Sequence, residues 1–275
     1  MSCCERCPKP TTRWSPWKRH RMPSWMLPGL RIERSAAMPE AAELPGATEA
    51  VVTAPVPPLV VLVPGLGLDD RAWTEVRRQL GHPSVVTRLP SLGKPAQRGT
   101  NLGIEHQTRR LLAQLPPGRR LVLVGHSASC PVVVEAAASS DEVVGLVLVG
   151  PVTDPRARTW PRILGQWLRT ACHERPWEGP VLVPQYRHTG VLAMLRGIDA
   201  IRHFATHEAV ARLTVPVTVL RGEYDRIAPS DWCRQLAELS GGECVTVAGA
   251  AHMVPLTHPQ TIVSAIARLP LASPA

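Results

Sequence analysis

The chain predicts a doubly wound α/β protein, a mostly parallel sheet covered on both faces, with a block of helices inserted between two of its strands. Three observations carry that expectation. Short apolar runs rich in β-branched residues recur from residue 59 to residue 247, amphipathic stretches alternate with them, and one interval, 152–213, has no strand-like run. Runs that are apolar at every position mark strands buried on both faces, and helical crossovers between them imply parallel pairing.

The elements follow in order. Leu59-Val60-Val61-Leu62-Val63 is the first strand, and Pro64-Gly65-Leu66-Gly67 is a glycine-punctuated turn leading to a helix over 70–80 that Asp69 and Asp70 open. A strand over 84–87 and a helix over 104–115 precede the strand at 121–124. That strand runs through Gly125-His126-Ser127-Ala128-Ser129 into a helix over 128–139, with Pro131 in the first turn, where a missing N–H does no harm. The strand at 143–149 leads into the strand-free interval, which holds Trp160, Trp167, Trp177, Tyr186 and Phe204 and reads as a helical lid. Strands at 217–220 and 244–247, with helices at 230–239 and 259–269, complete the pattern. The expected organisation is a basic N-terminal segment over 1–50, mostly disordered; an α/β core over 51–151 and 214–275; and the lid over 152–213.

Composition removes several classes. Of 275 residues, 44% are hydrophobic and 19% charged, which excludes disordered and collagen-like chains. The longest apolar run, 59–68, is too short to span a bilayer, and no charged-then-apolar signal opens the chain, so a cytoplasmic location is expected. The net charge of +9 is concentrated in the first forty residues, where eight basic side chains stand against three acidic ones. The rest of the chain has no basic stripe with interleaved aromatics, so no nucleic-acid partner is expected. Seven cysteines, three of them within the first seven residues, do not make a disulfide framework. The single C-x-x-C at Cys4 and Cys7 lacks the second ligand pair of a structural zinc site, so neither metal nor cofactor is expected. Met22, Met26 and Met38 are candidate translation starts besides Met1.

The chemistry concentrates where strands end. A serine at a tight strand-to-helix turn, flanked by small residues at 125 and 129, has its hydroxyl pushed outward beside unpaired N–H groups. If the strand at 59–63 lies beside the one at 121–124, the N–H groups of Leu66 and Ala128 converge on one oxygen as an oxyanion hole. A glycine turn ahead of a capped helix explains the same glycines. Among ten histidines, His252 follows the strand at 244–247 across the short loop 248–251, at the edge where open α/β sheets place their ligands. His126 adjoins the serine and reads as packing or a loop hydrogen bond; His258, before Pro259, reads as a cap. His203 and His207 are four apart but lack a third ligand. For the carboxylate, Asp225 follows the strand at 217–220, with Glu223 as a rival and Asp154 as a second candidate, whereas Asp231 is explained by capping.

These pieces together resemble an α/β-hydrolase-fold serine hydrolase over about residues 55–270. Gly125-His126-Ser127-Ala128-Ser129 is similar to the nucleophile elbow, Pro64-Gly65-Leu66-Gly67 to the oxyanion loop, and Gly222-Glu223-Tyr224-Asp225 and Ala251-His252-Met253 to the loops of the acid and the base. Ser129 stands where the family usually has glycine and Pro64 where histidine is common; neither change removes a catalytic group. The resemblance implies the α/β-hydrolase sheet, a Ser127–His252–Asp225 triad, and hydrolysis of an ester, thioester or related acyl bond of a small-molecule substrate. Met253, Trp160 and Trp167 are expected to wall an apolar pocket. The same residues fit a lyase, a C–C bond hydrolase, a cofactor-free perhydrolase or a non-catalytic ligand receptor.

Overall fold

A computed structural model of the chain describes residues 56–271. The basic segment over 1–50, its C-x-x-C and the alternative starts lie outside the described residues. Six parallel strands form one sheet in the order β2-β1-β5-β6-β7-β8: β2 is Ser84–Val86, β1 Leu59–Val63, β5 Leu121–His126, β6 Val143–Val149, β7 Val217–Gly222 and β8 Glu243–Val247. Two two-residue strands, β3 (Leu89–Pro90) and β4 (Gly93–Lys94), pair with each other and were not legible in the sequence.

The apolar runs serve both faces, because alternate side chains of a strand point to opposite sides. Val61, Val63, Leu121, Leu123, Leu146 and Leu148 face helices α2 (Ile104–Leu112), α3 (Cys130–Ala138) and α8 (Ser230–Leu239). Val60, Leu62, Val122, Val124, Val147 and Val149 face α1 (Thr74–Gln79) and α10 (Pro259–Arg268). Each fully buried Val or Leu contributes about 1.5–3 kcal/mol of transfer free energy, so a strand buried on both faces is anchored from both sides.

Several boundaries differ from the expected ones. β5 and β7 each run two residues further, to His126 and Gly222, carrying the strand to the functional turn. The helix expected from residue 128 begins as a 3-10 turn, Ser127–Ser129, before α3. A 3-10 turn is wound more tightly than an α-helical one, and the sequence pattern does not separate the two.

Between β6 and β7 the chain forms four helices, α4 (Trp160–Ala171), α5 (Gly179–Thr189), α6 (Val191–Ile201) and α7 (Thr206–Val210). Gly190, with φ of 84°, separates α5 from α6 in a conformation that only glycine adopts readily. This insert is tied to the turn after β1: Asp69 N donates to Gln185 Oε1 at 2.8 Å and Thr189 Oγ1 donates to Gly67 O at 3.3 Å. From β1 the chain moves outward to β2 and then returns to β5 on the other side of β1. The carboxyl ends of β1 and β5 therefore flank a switch point, where open α/β sheets form their crevices.

Candidate active site

Ser127 sits at the first position past β5 with φ of 55°, a left-handed backbone that costs a non-glycine residue of order 1–3 kcal/mol. Close packing holds it there. A Cβ on Gly65 would lie 2.7 Å from the His126 ring, and one on Gly125 would lie 2.6 Å from Val133, so neither position accepts a side chain without movement. Ser129, buried completely, is more than a small residue: its hydroxyl donates to Val63 O at 2.8 Å and accepts from His126 N at 2.8 Å, which stitches the turn to β1.

His252 lies in the loop after β8. Its Nε2 is 2.8 Å from Ser127 Oγ and its Nδ1 is 2.7 Å from Asp225 Oδ2. Both His252 and Asp225 are buried. Gly150, at the end of β6 with φ of 57°, leaves room for them, since an added Cβ would sit 3.0 Å from the His252 ring and 3.2 Å from Asp225 Oδ2. Asp225 Oδ1 accepts from Ile227 N at 2.8 Å and Ala228 N at 3.0 Å. Buried Arg221 donates to the carbonyls of Glu223, Asp225 and Ala228 at 3.0–3.1 Å and pins the loop.

The electrostatics follow from burial and pairing. Burial alone would raise the Asp225 pKa, but the adjacent His252 and the two backbone donors outweigh it and hold the carboxyl below its usual value. Burial alone would lower His252, yet the Asp225 charge and hydrogen bond leave it above the ordinary histidine value. His126 has no such partner. Burial, reinforced by repulsion from His252, lowers its pKa to about 3, so it is a neutral ring whose Nε2 meets His252 O at 3.1 Å. The tautomer that donates there follows from the carbonyl, which can only accept.

A family model described as "Alpha/beta hydrolase family" matches residues 60–265, three quarters of the sequence. The chain belongs to the alpha/beta hydrolase family. Solved structures with the same fold include a bromoperoxidase from Bacillus anthracis, 16% identical with a TM-score of 0.65 over 76% of this chain and 90% of that one. MenH from S. aureus is 15% identical with a TM-score of 0.63, over 76% and 92%. A lipase-esterase related protein from Clostridium acetobutylicum is 10% identical with a TM-score of 0.62, over 77% and 93%. No curated protein matches the sequence.

Within this alpha/beta hydrolase family chain, the rivals for the acid and base are occupied elsewhere. Glu223 Oε2 accepts from Gly249 N at 2.8 Å, and Asp154 and Asp231 are both bound by Arg156. His258 meets its neighbour Thr257 Oγ1 at 2.9 Å, and His207 packs edge-on against Trp232. Among the described residues no three metal-ligating side chains cluster, and no helix is long and apolar enough to cross a membrane. Leu66 and Ala128 line one small cavity of about 10 Å³. Met253 is buried against Leu68, Ala72 and Leu182.

Trp160 and Trp167, expected to wall an apolar pocket, lie on α4. They are 39% and 51% exposed, outside that cavity, and Trp160 lies under the Arg202 guanidinium at 5.6 Å. Sequence reasoning missed Arg221, Gly150 and Glu174, whose carboxylate Oε1 accepts from His252 N at 2.8 Å across 78 positions of chain.

Proposed function

We propose that the protein is a serine hydrolase that cleaves an ester, thioester or related acyl bond of a small or medium apolar substrate. The observation that carries this reading is the unbroken line of hydrogen bonds from Ser127 Oγ through the His252 imidazole to Asp225. In the reaction His252 Nε2 takes the proton of Ser127 Oγ as that oxygen bonds to the substrate carbonyl carbon. The carbonyl oxygen becomes an oxyanion that accepts from the Leu66 and Ala128 N–H groups. The tetrahedral intermediate collapses, the bond to the leaving group breaks, and His252 returns the proton to that group. Water, deprotonated by the same imidazole, then attacks the acyl-enzyme, releasing the acid and restoring Ser127. Asp225 holds the imidazole with Nδ1 protonated and stabilises the imidazolium formed twice per turnover.

The helical insert over 152–213 acts as a lid over the carboxyl ends of the strands, and Met253 beside the base gives the substrate an apolar wall. The test is a panel of acyl esters and thioesters of increasing chain length. Saturable turnover, with acyl-enzyme trapped from the best substrate by rapid quenching, is expected; absence of turnover across the panel, in protein that is folded by circular dichroism, contradicts the reading.

A further inference from the structure

The last turn of α4 and the segment that follows it grip both loops of the candidate triad. Thr170 Oγ1 accepts from Arg226 N at 2.9 Å, one residue past Asp225. The His173 ring stacks on Tyr224, one residue before Asp225, with centroids 4.9 Å apart and planes 15° from parallel. Glu174 Oε1 accepts from the backbone N–H of His252 at 2.8 Å. Three contacts within five residues of the insert therefore reach the neighbours of the acid and the base itself.

Glu174 is held in turn. Glu178, almost fully buried, accepts from Arg175 N through Oε1 at 2.9 Å. The remaining oxygens, Glu174 Oε2 and Glu178 Oε2, are buried and have no hydrogen-bond partner among the described residues. Glu174 is therefore a buried carboxyl with a single hydrogen-bond partner, the backbone N–H of His252.

We propose, resting on the hydrolase reading above, that Glu174 is a positioning residue: its hydrogen bond to His252 N makes the lid the element that fixes the base loop. The lid then does more than cover the site. When the segment sits down, His252 is held toward Ser127; when it lifts, the base loop loses an anchor.

The burial of Glu174 gives this anchor a pH dependence. Burial, and then the neighbouring Glu178, push the Glu174 pKa up to about 8. The ionisable groups that act on it are Glu178 within its own segment and His252 on the base loop, and Tyr186 on α5 is itself raised by both acids after the effect of burial. A carboxyl with a raised pKa favours the closed lid at low pH, and that preference is lost as pH rises through the raised value. Above about pH 8 the closed lid would hold a buried carboxylate at Glu174 whose Oε2 meets no donor.

Wild type, Glu174→Gln and Glu174→Ala are compared by turnover from pH 6 to pH 10 and by amide hydrogen exchange of the loop around His252. Gln keeps an acceptor for His252 N and carries no charge, so it mimics the protonated acid. Glu174→Ala is expected to lower kcat by about 10- to 100-fold with KM changed less than about twofold, because a misplaced base slows chemistry without touching substrate. It should also speed exchange of the loop amides. Wild type should lose activity through about pH 8 on the alkaline side, and Glu174→Gln should not. Wild-type kcat and loop protection in Glu174→Ala, or the same alkaline fall in Glu174→Gln, would overturn the proposal. If wild type turns over no acyl substrate, the hydrolase reading fails, and loop exchange still decides by itself whether Glu174 anchors the loop.

Discussion

Ser127, His252 and Asp225 are far apart in sequence and meet because each follows the carboxyl end of a different strand. That is why all three were legible. A strand end in an open parallel sheet is a fixed address, and a serine, a histidine and an aspartate just past three such ends converge once the strand order is set. The roles assigned to them make two predictions. Ser127→Ala should lower turnover by about six orders of magnitude and Asp225→Asn by about four, measured as kcat on the best acyl substrate; near wild-type kcat in either variant rejects the assignment. The pH profile is set by His252, which must be neutral to accept a proton. Since the Asp225 charge overrides burial and raises its pKa, the acid limb of kcat/KM should have its midpoint above the ordinary value of about 6.5. A limb centred below that value contradicts a histidine base paired with a buried carboxylate. What the sequence could not announce was Glu174, Arg221 or Gly150. Their contributions are a backbone contact across 78 positions, three carbonyl contacts inside one loop and an open space beside a ring, and none of these leaves a local pattern.

At the scale of elements, the strand–turn–helix over β5 and α3 is where local chemistry and long-range packing agree. The glycine at 125 lets α3 approach β5, and the strained backbone at Ser127 is held by that approach and by the Ser129 bridge to Val63. Gly125→Val places its Cβ 2.6 Å from Val133 Cγ2 and 3.1 Å from Cys130 Cα, backbone that cannot swing away. Overpacking of this kind is expected to destabilise by about 1–3 kcal/mol in urea unfolding and to abolish turnover. Unchanged stability with intact activity would mean that the turn tolerates a wider strand-to-helix spacing than described. Strand and helix positions were largely readable from period and composition. The insert was readable only as a strand-free interval, since amphipathic helices announce an apolar face without naming its cover.

For the whole molecule, the sheet that carries the site also buries a histidine that must stay neutral. His126 is held far below the ordinary histidine value, whereas in the unfolded chain it titrates near about 6.5. A depressed pKa contributes stability above the unfolded value and loses it as pH falls toward the folded value. Between about pH 6 and pH 4.5 unfolding should therefore take up one proton at His126, at about 1.4 kcal/mol per pH unit, while His252, with its raised pKa, is charged in both states and adds no slope. Buried Glu174, with its raised pKa, releases a proton on unfolding over the same interval and opposes this slope, so the test is made in Glu174→Gln: calorimetry should find a melting midpoint that falls steadily across that interval, and a flat midpoint in that variant contradicts a neutral buried ring. The central claim, that this fold arms one serine, is tested most directly by covalent labelling with a fluorophosphonate followed by peptide mapping. One label per chain, on Ser127, lost in His252→Ala and unaffected by prior unrelated serine substitutions, is the expected result. A label on another serine, or none on folded protein at a pH where His252 is neutral, would contradict it.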